Sequence, residues 1–133
     1  MKRIYPPSEE FLQYVWHSLH FSQQNLSTTD GKAVSIVSTG TWNRNQGPDF
    51  LDACLFIDGI RMHGHVEIHL HSQDWYRHKH EQDAFYNGTL LHVVYESHGQ
   101  SIVREDGSQV PEVVLEGRID VTLWHKYDRL RLS

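Results

Sequence analysis

Histidine is concentrated in the middle of this chain. Of the 11 histidines in the 133 residues, eight lie between positions 63 and 98. The imidazole ring changes its charge near neutral pH, and its nitrogens are common metal ligands. This segment is therefore the first candidate for metal binding or acid–base chemistry, with a pH-sensitive surface as the alternative interpretation.

The strongest pattern in this segment is a strand predicted over residues 60–70. Apolar and polar residues alternate there, which places apolar side chains on one face and mostly histidines and a glutamate on the other. Side chains two residues apart on a strand are separated by about 7 Å. We therefore predict that His69 and His71 bind one metal ion, with Glu67 on the same face as an oxygen ligand.

A predicted β-hairpin brings a second strand, residues 50–57, beside this one. Asp58-Gly59 separates the two strands and is a strong signal for a two-residue turn. Carboxylates from both strands can then meet on the polar face. Such a pair suits Mg²⁺ or Mn²⁺, which prefer oxygen ligands.

The hairpin register decides which carboxylate reaches Glu67. In a regular hairpin Asp52 faces His65, and Asp49 points to the apolar side. One β-bulge near Gly64 would reverse this parity and bring Asp49 beside Glu67. The sequence leaves both registers open.

A further group of aromatic and polar residues follows the hairpin. His78 and His80 would point about 200° apart on a helix, which is poor for chelation, but they could share a metal in an extended segment. Trp75 and Phe85 are predicted to pack in the core. His92 lies in an apolar run and is predicted to be a hydrogen-bonded core residue.

These residues are predicted to belong to one α+β domain spanning residues 1–133. We expect a helix over residues 8–20, with Ser8 as a favourable N-cap. The sheet core is expected over residues 33–116 and a C-terminal tail over 117–133. The sheet is predicted to be mixed and mostly antiparallel, with a central hairpin flanked by helices.

The composition excludes several classes of protein. A formal net charge of −5 argues against polybasic, histone-like binding of nucleic acid. The apolar runs are too short for a transmembrane helix, so no membrane partner is expected, and the N-terminal stretch lacks the pattern of a signal peptide. Cys54 is the single cysteine, which excludes an internal disulfide, and the expected location is the cytoplasm.

Four motifs together resemble an uncharacterised bacterial family, a domain of unknown function. The resemblance covers the N-terminal part of these longer proteins and implies no established activity. The motifs are Gly47-Pro48-Asp49-Phe50, Gly64-His65-Val66-Glu67-Ile68-His69, Asp74-Trp75 with His78 and His80, and Leu91-His92-Val93-Val94-Tyr95.

Part of this pattern is also similar to the restriction-endonuclease-like nucleases. Pro48-Asp49 and Glu67-x-His69, separated by 17 residues, resemble their Pro-Asp…(Asp/Glu)-x-Lys signature. The resemblance implies an α-β-β-β-α-β core in which Asp49 and Glu67 bind metal. His69 would replace the lysine, although it is a weaker cation at pH 7.

The same resemblance extends to residues outside the signature. Glu9 or Glu10 would match an extra acid on the first helix of some of these nucleases. Gln82 and Tyr86 would match a glutamine and a tyrosine that other members carry on the following helix.

The first functional hypothesis is a nuclease that uses Mg²⁺ or Mn²⁺ to activate a water molecule. Asp49 and Glu67 would hold the ion, and His69 would orient or deprotonate the water. Nucleic acid is then the expected partner. Its phosphates would be contacted by Arg44, Arg77 and Lys79.

Two alternatives are not catalytic. The histidines could bind Zn²⁺ in a metal or interaction module. The chain could also be a scaffold domain of a longer protein that associates into homo-oligomers through exposed apolar surface. The histidines of the zinc alternative are His63, His65, His69, His71, His78 and His80.

Overall fold

The computed structural model describes the backbone of residues 7–132 and the side chains as far as residue 127. Residues 1–6 and 133, which fall in the predicted domain, lie outside the described residues. The principal elements are three helices and six strands. They are α1 (Glu9–Ser18), β1 (Val34–Ser38), β2 (Thr41–Trp42), β3 (Phe50–Ile57), β4 (Ile60–His71), α2 (Asp74–Arg77), β5 (Thr89–Glu96), β6 (Glu112–Val114) and α3 (Val121–Leu132).

The six strands form one mixed sheet. Their order is β1-β3-β4-β5-β6, and the short β2 also pairs with β3. The pairings of β3 with β1, β2 and β4 are antiparallel, whereas β5 pairs in parallel with both β4 and β6. The structure confirms the predicted α+β class with a mixed sheet.

Helix α1 begins where the sequence favours it and covers the sheet. Ser8 is the N-cap, and its side chain accepts a hydrogen bond from the backbone N–H of Phe11 at 3.1 Å. Four apolar side chains of the helix are fully buried in the main core. They are Phe11, Leu12, Val15 and Trp16.

The β3–β4 hairpin contains the predicted turn and a β-bulge. Ile57 pairs with Ile60 across the turn, but the register shifts between Phe50 and Ala53. Asp52 lies in this bulge with a φ of 57°, a left-handed conformation that Asp tolerates better than most residues. The bulge lies across from His65, next to Gly64, and turns Asp49 toward the face that carries Glu67.

The connection from β4 to β5 must cross over because the two strands are parallel. It contains α2 and two single-turn 3₁₀ helices, His80–Gln82 and Ala84–Tyr86. This crossover lies beside the polar face of β4, since the imidazole of His80 contacts Glu67. No helix within the described residues is long and apolar enough to span a membrane.

Gly64 is required by close packing rather than by its backbone angle. A Cβ atom at this position would lie 2.8 Å from Cβ of Leu90 and 2.9 Å from the carbonyl oxygen of Gly88. We expect Gly64→Ala to lower the free energy of unfolding by about 1–3 kcal/mol, as measured by urea denaturation. Met62→Ala on the same strand is the control and should have a smaller effect; equal effects would contradict this explanation.

Candidate metal centre

Two carboxylates from neighbouring strands meet at the bulge. The backbone N–H of Asp49 donates to Oε1 of Glu67 at 3.1 Å, and the N–H of Ile68 donates to Oδ2 of Asp49 at 2.8 Å. Gln13 on α1 donates to Oδ1 of Asp49 at 3.2 Å. Glu67 is only 4% exposed, so the strand backbones fix both carboxylates in a largely dry site.

This burial raises the pKa values of the acidic groups, so they keep their protons to higher pH. Burial and the charge of Glu67 raise the pKa of Asp49 to about 8, and burial raises the pKa of Glu67 to about 8. Glu9 at the start of α1 belongs to the same electrostatic group, because burial and the charge of Asp49 raise its pKa to about 7. At neutral pH these acids need either protons or a bound cation.

Three imidazoles complete the site, and we call Glu67, His69, His78 and His80 the central cluster. Oε2 of Glu67 lies 2.8 Å from Nε2 of His80 and 3.3 Å from Nε2 of His69. Nε2 of His69 lies 3.1 Å from Nδ1 of His78, and each of the three imidazoles offers a nitrogen within 4.8 Å of the other two.

These separations resemble those around a metal ion. Ligand atoms bound to one ion at 2.0–2.2 Å are about 3.0–3.5 Å apart. Burial lowers the pKa of His69 and of His80, which favours the neutral imidazole that a metal requires. Tyr86 stacks on His80 with ring centroids 3.7 Å apart, and Trp75 contacts the same ring edge-on. The donor set therefore fits a divalent transition metal.

A buried relay orients His69. Nδ1 of His92 lies 2.9 Å from Oε2 of Glu112, and Nε2 of His92 lies 2.7 Å from Nδ1 of His69. Because the carboxylate can only accept, the Nδ1–H of a neutral His92 donates to it, leaving Nε2 to accept from His69. The lone pair of His69 is then on Nε2, which faces the central cluster.

Glu112 is itself held by hydrogen bonds. Ser72 and Ser97 donate to its Oε1 at 2.8 and 2.7 Å. Burial alone would raise the pKa of Glu112, but the hydrogen bonds from His92 and Ser97 bring that pKa below its usual value. The relay therefore ends on an ionised carboxylate, the arrangement that fixes the orientation of metal-binding histidines.

The structure separates several predicted site residues from the central cluster. His71 lies with Glu96 and His98 in a different group, so the predicted His69–His71 pair is divided. Asp52 is exposed, and its backbone N–H donates to Nδ1 of His65 at 3.2 Å. Neither side chain belongs to the central cluster.

The remaining predicted residues have different environments. Tyr86 is buried against His80, but Gln82 is exposed. Phe85 was predicted to pack and is 62% exposed; this prediction was wrong because the segment forms short 3₁₀ turns rather than one continuous helix. Among the predicted phosphate ligands, Arg44, Arg77 and Lys79 are all exposed.

Gln13 and Glu112 were not identified as site residues from the sequence, and Glu9 was identified only through the nuclease resemblance. Gln13 supports Asp49 from α1, and nothing in its sequence context marks it. Glu112 has a visible signal, since it is an acidic residue within the apolar run 110–115. Glu9 came from the nuclease resemblance, and His92 was correctly predicted as a hydrogen-bonded core residue.

The comparisons with known proteins identify a family but no activity. The family described as "Protein of unknown function (DUF2851)" matches residues 9–133. No curated protein and no solved structure matches the chain.

The pKa shifts predict how stability depends on pH in the metal-free chain. With pKa values raised from about 4 to about 8, Asp49 and Glu67 bind more protons in the folded chain, so their contribution to stability falls as pH rises through this window. The lowered pKa values of the buried histidines have the opposite effect on stability, but only below the ordinary histidine pKa of 6.5. We therefore expect the free energy of unfolding to fall between about pH 6.5 and 8.

Urea denaturation in the presence of a chelator measures this dependence. Asp49→Asn should flatten the decline, because it removes one of the two carboxyl groups. A wild-type stability that stays constant or rises across this window would contradict the burial of the carboxylates.

The relay predicts a loss of metal affinity when its carboxylate is neutralised. Glu112→Gln keeps the size of the side chain but allows its amide to donate to His92, which disturbs the tautomer of His69. We expect Zn²⁺ affinity at the central cluster to fall by about 10–100-fold, as measured by competition with a chelating dye. Ser97→Ala removes one donor to Glu112 and should have a smaller effect; an unchanged affinity in Glu112→Gln would exclude the relay.

Proposed function

We propose that this chain, which belongs to the DUF2851 family, is a metal-dependent phosphodiesterase that acts on nucleic acid. The observation that carries the proposal is the convergence of the Asp49 and Glu67 carboxylates with three imidazoles in one site that is buried except at His78. Neither carboxylate is paired with Lys or Arg in the described part of the chain. The two carboxylates therefore have no lysine or arginine in that part of the chain to balance their charge, and a divalent cation would do so.

The donor set favours a transition metal over Mg²⁺. Imidazole nitrogens suit Zn²⁺ and Mn²⁺ better than Mg²⁺, which prefers oxygen ligands and bound water. His69, His80 and Glu67 would hold the ion, joined by His78 or Asp49. When bound, such an ion supplies a Lewis acid and lowers the pKa of a coordinated water.

The protein's own groups have suitable roles around that ion. His69 presents its Nε2 lone pair to the site because the relay occupies its Nδ1. Glu9 has a pKa of about 7, which matches a group that accepts a proton near neutral pH. Asp49 holds the two strands in register through its hydrogen bond to Ile68 and keeps its second oxygen beside Gln13.

The order of elements supports a nuclease-like architecture. Apart from the short β2 between β1 and β3, the order is helix α1, the antiparallel strands β1, β3 and β4, the short α2 and the parallel β5, as the resemblance to restriction-endonuclease-like proteins leads one to expect. Asp49 precedes β3 and Glu67-x-His69 lies on β4, so the two halves of the signature are adjacent. We infer that this site is the equivalent of the nuclease centre.

The surroundings of His78 support a phosphate-bearing substrate. His78 is exposed, unlike His69 and His80, so the cluster opens to solvent on that side. Arg77 and Lys79 flank it in sequence and are also exposed. Basic side chains beside a metal site are suited to bind the phosphates of a nucleic acid.

A structural zinc site is the second candidate. The central cluster offers four protein ligands, and a tetrahedral Zn²⁺ bound by all of them would have no open position for water. In that case the ion would join the crossover segment to β4 without catalysis. Measurement of both metal binding and cleavage distinguishes the two functions.

The test is cleavage of DNA and RNA by the chelator-treated chain with added Mn²⁺ or Zn²⁺. We expect metal-dependent hydrolysis that Glu67→Gln lowers by at least about 100-fold, because a ligand to a catalytic ion contributes several kcal/mol to the transition state. Asp49→Asn should also reduce the rate.

Asp52→Asn is the matched control, since Asp52 is a carboxylate on β3, close in sequence to Asp49 but outside the cluster, and Asn tolerates its left-handed backbone. Equal cleavage by Glu67→Gln and Asp52→Asn would overturn the proposal. Zinc binding that depends on Glu67, without any hydrolysis, would favour the structural site.

A further inference from the structure

A second group of metal-ligating side chains lies outside the central cluster. It consists of His71, the last residue of β4, Glu96, the last residue of β5, and His98 in the loop that follows. Each offers one ligand atom, and the three atoms lie within 4.8 Å of one another. We call these residues the strand-end group.

The strand backbones bring the group together. His71 and Glu96 are partners in the parallel β4–β5 ladder, and Nδ1 of His71 lies 3.1 Å from Oε1 of Glu96. The ring of His98 lies beside that of His71, with centroids 5.3 Å apart. Two of the three ligands are thus set by sheet register rather than by a flexible loop.

The loop residue is also anchored. The backbone N–H of His98 donates to Oγ of Ser72 at 3.2 Å, and Ser72 in turn donates to the buried Glu112. On the other strand, the backbone N–H of His71 donates to Oδ2 of Asp74 at 3.1 Å. The site is therefore held in place before any ligand binds, which reduces the entropy lost on binding.

One ring nitrogen of His71 is free to act as a ligand. Its Nδ1 is buried, yet within the described residues it has no partner in hydrogen-bond geometry; Glu96 is at ion-pair distance but is poorly aligned with the ring nitrogen. Buried polar atoms are normally satisfied. A metal ion between the two side chains would use both the nitrogen lone pair and the carboxylate.

We propose that the strand-end group is a second metal site, separate from the central cluster, and that it binds Zn²⁺ or a similar transition metal. Two imidazoles and one carboxylate favour such an ion over Mg²⁺ or Ca²⁺. His98 is exposed and the other two residues are partly buried, so water can fill the fourth position. The ion would tie the loop after β5 to the end of β4.

The experiment measures Zn²⁺ binding by the full chain. After removal of metal with a chelator, titration calorimetry with ZnCl₂ and elemental analysis after dialysis give the affinity and the number of ions. We expect two ions for the wild type, one for each group. His98→Ala should remove one ion or weaken it by at least about tenfold, and Glu96→Gln should do the same.

His63→Ala is the matched control, because His63 is an exposed histidine on the same strand and belongs to neither group. It should bind zinc as the wild type does. His78→Ala disrupts the central cluster and should leave the strand-end ion bound, with Zn²⁺ still raising the melting temperature. If the central cluster binds no metal, the wild type will bind one ion and His98→Ala will still lose it.

The strand-end metal site and the proposed function of the central cluster are therefore tested independently. The strand-end site is overturned if His98→Ala and Glu96→Gln bind zinc with wild-type stoichiometry and affinity. It is also overturned if they differ from wild type no more than His63→Ala does.

Discussion

The candidate site depends on burying two carboxylates next to each other with no lysine or arginine paired to them in the described part of the chain. Taking a carboxylate out of water is unfavourable unless it is protonated, hydrogen-bonded or paired with a cation. The backbone N–H groups of Asp49 and Ile68 satisfy one oxygen on each carboxylate, and His80 contacts the other oxygen of Glu67. These contacts do not neutralise the charge that the two groups carry once they ionise, and a bound divalent ion would neutralise it.

One extra residue in β3 creates this arrangement. Side chains alternate along a strand, so the bulge at Asp52 moves Asp49 from the apolar face to the face of Glu67. Gly40 belongs to the same feature, because a Cβ atom there would lie 2.6 Å from the carbonyl oxygen of Leu51. The bulged strand, the close glycine and the acidic pair therefore form one structural unit, and a regular hairpin would not form the site.

The local features were predictable from sequence and the long-range ones were not. Asp58-Gly59 and the alternation that follows it indicated the hairpin, and Ser8 marked the start of α1, because turns and caps depend on neighbouring residues. The position of the bulge stayed open, since it depends on tertiary packing. The relay was missed because His92 and Glu112 lie 20 residues apart and meet only through the parallel pairing of β5 with β6.

If the site is the nuclease centre that we propose, the histidine at position 69 changes the chemistry that the nuclease signature implies. A lysine there would be a charged donor that cannot ligate a metal in its protonated form. A neutral imidazole that donates through Nδ1 to His92 keeps a lone pair on Nε2, so it can act as a ligand or accept a proton. The site then lacks the positive charge that a lysine at position 69 would supply. The nearby imidazoles of His78 and His80 fit this substitution, because they allow a tightly held metal ion to provide that charge instead.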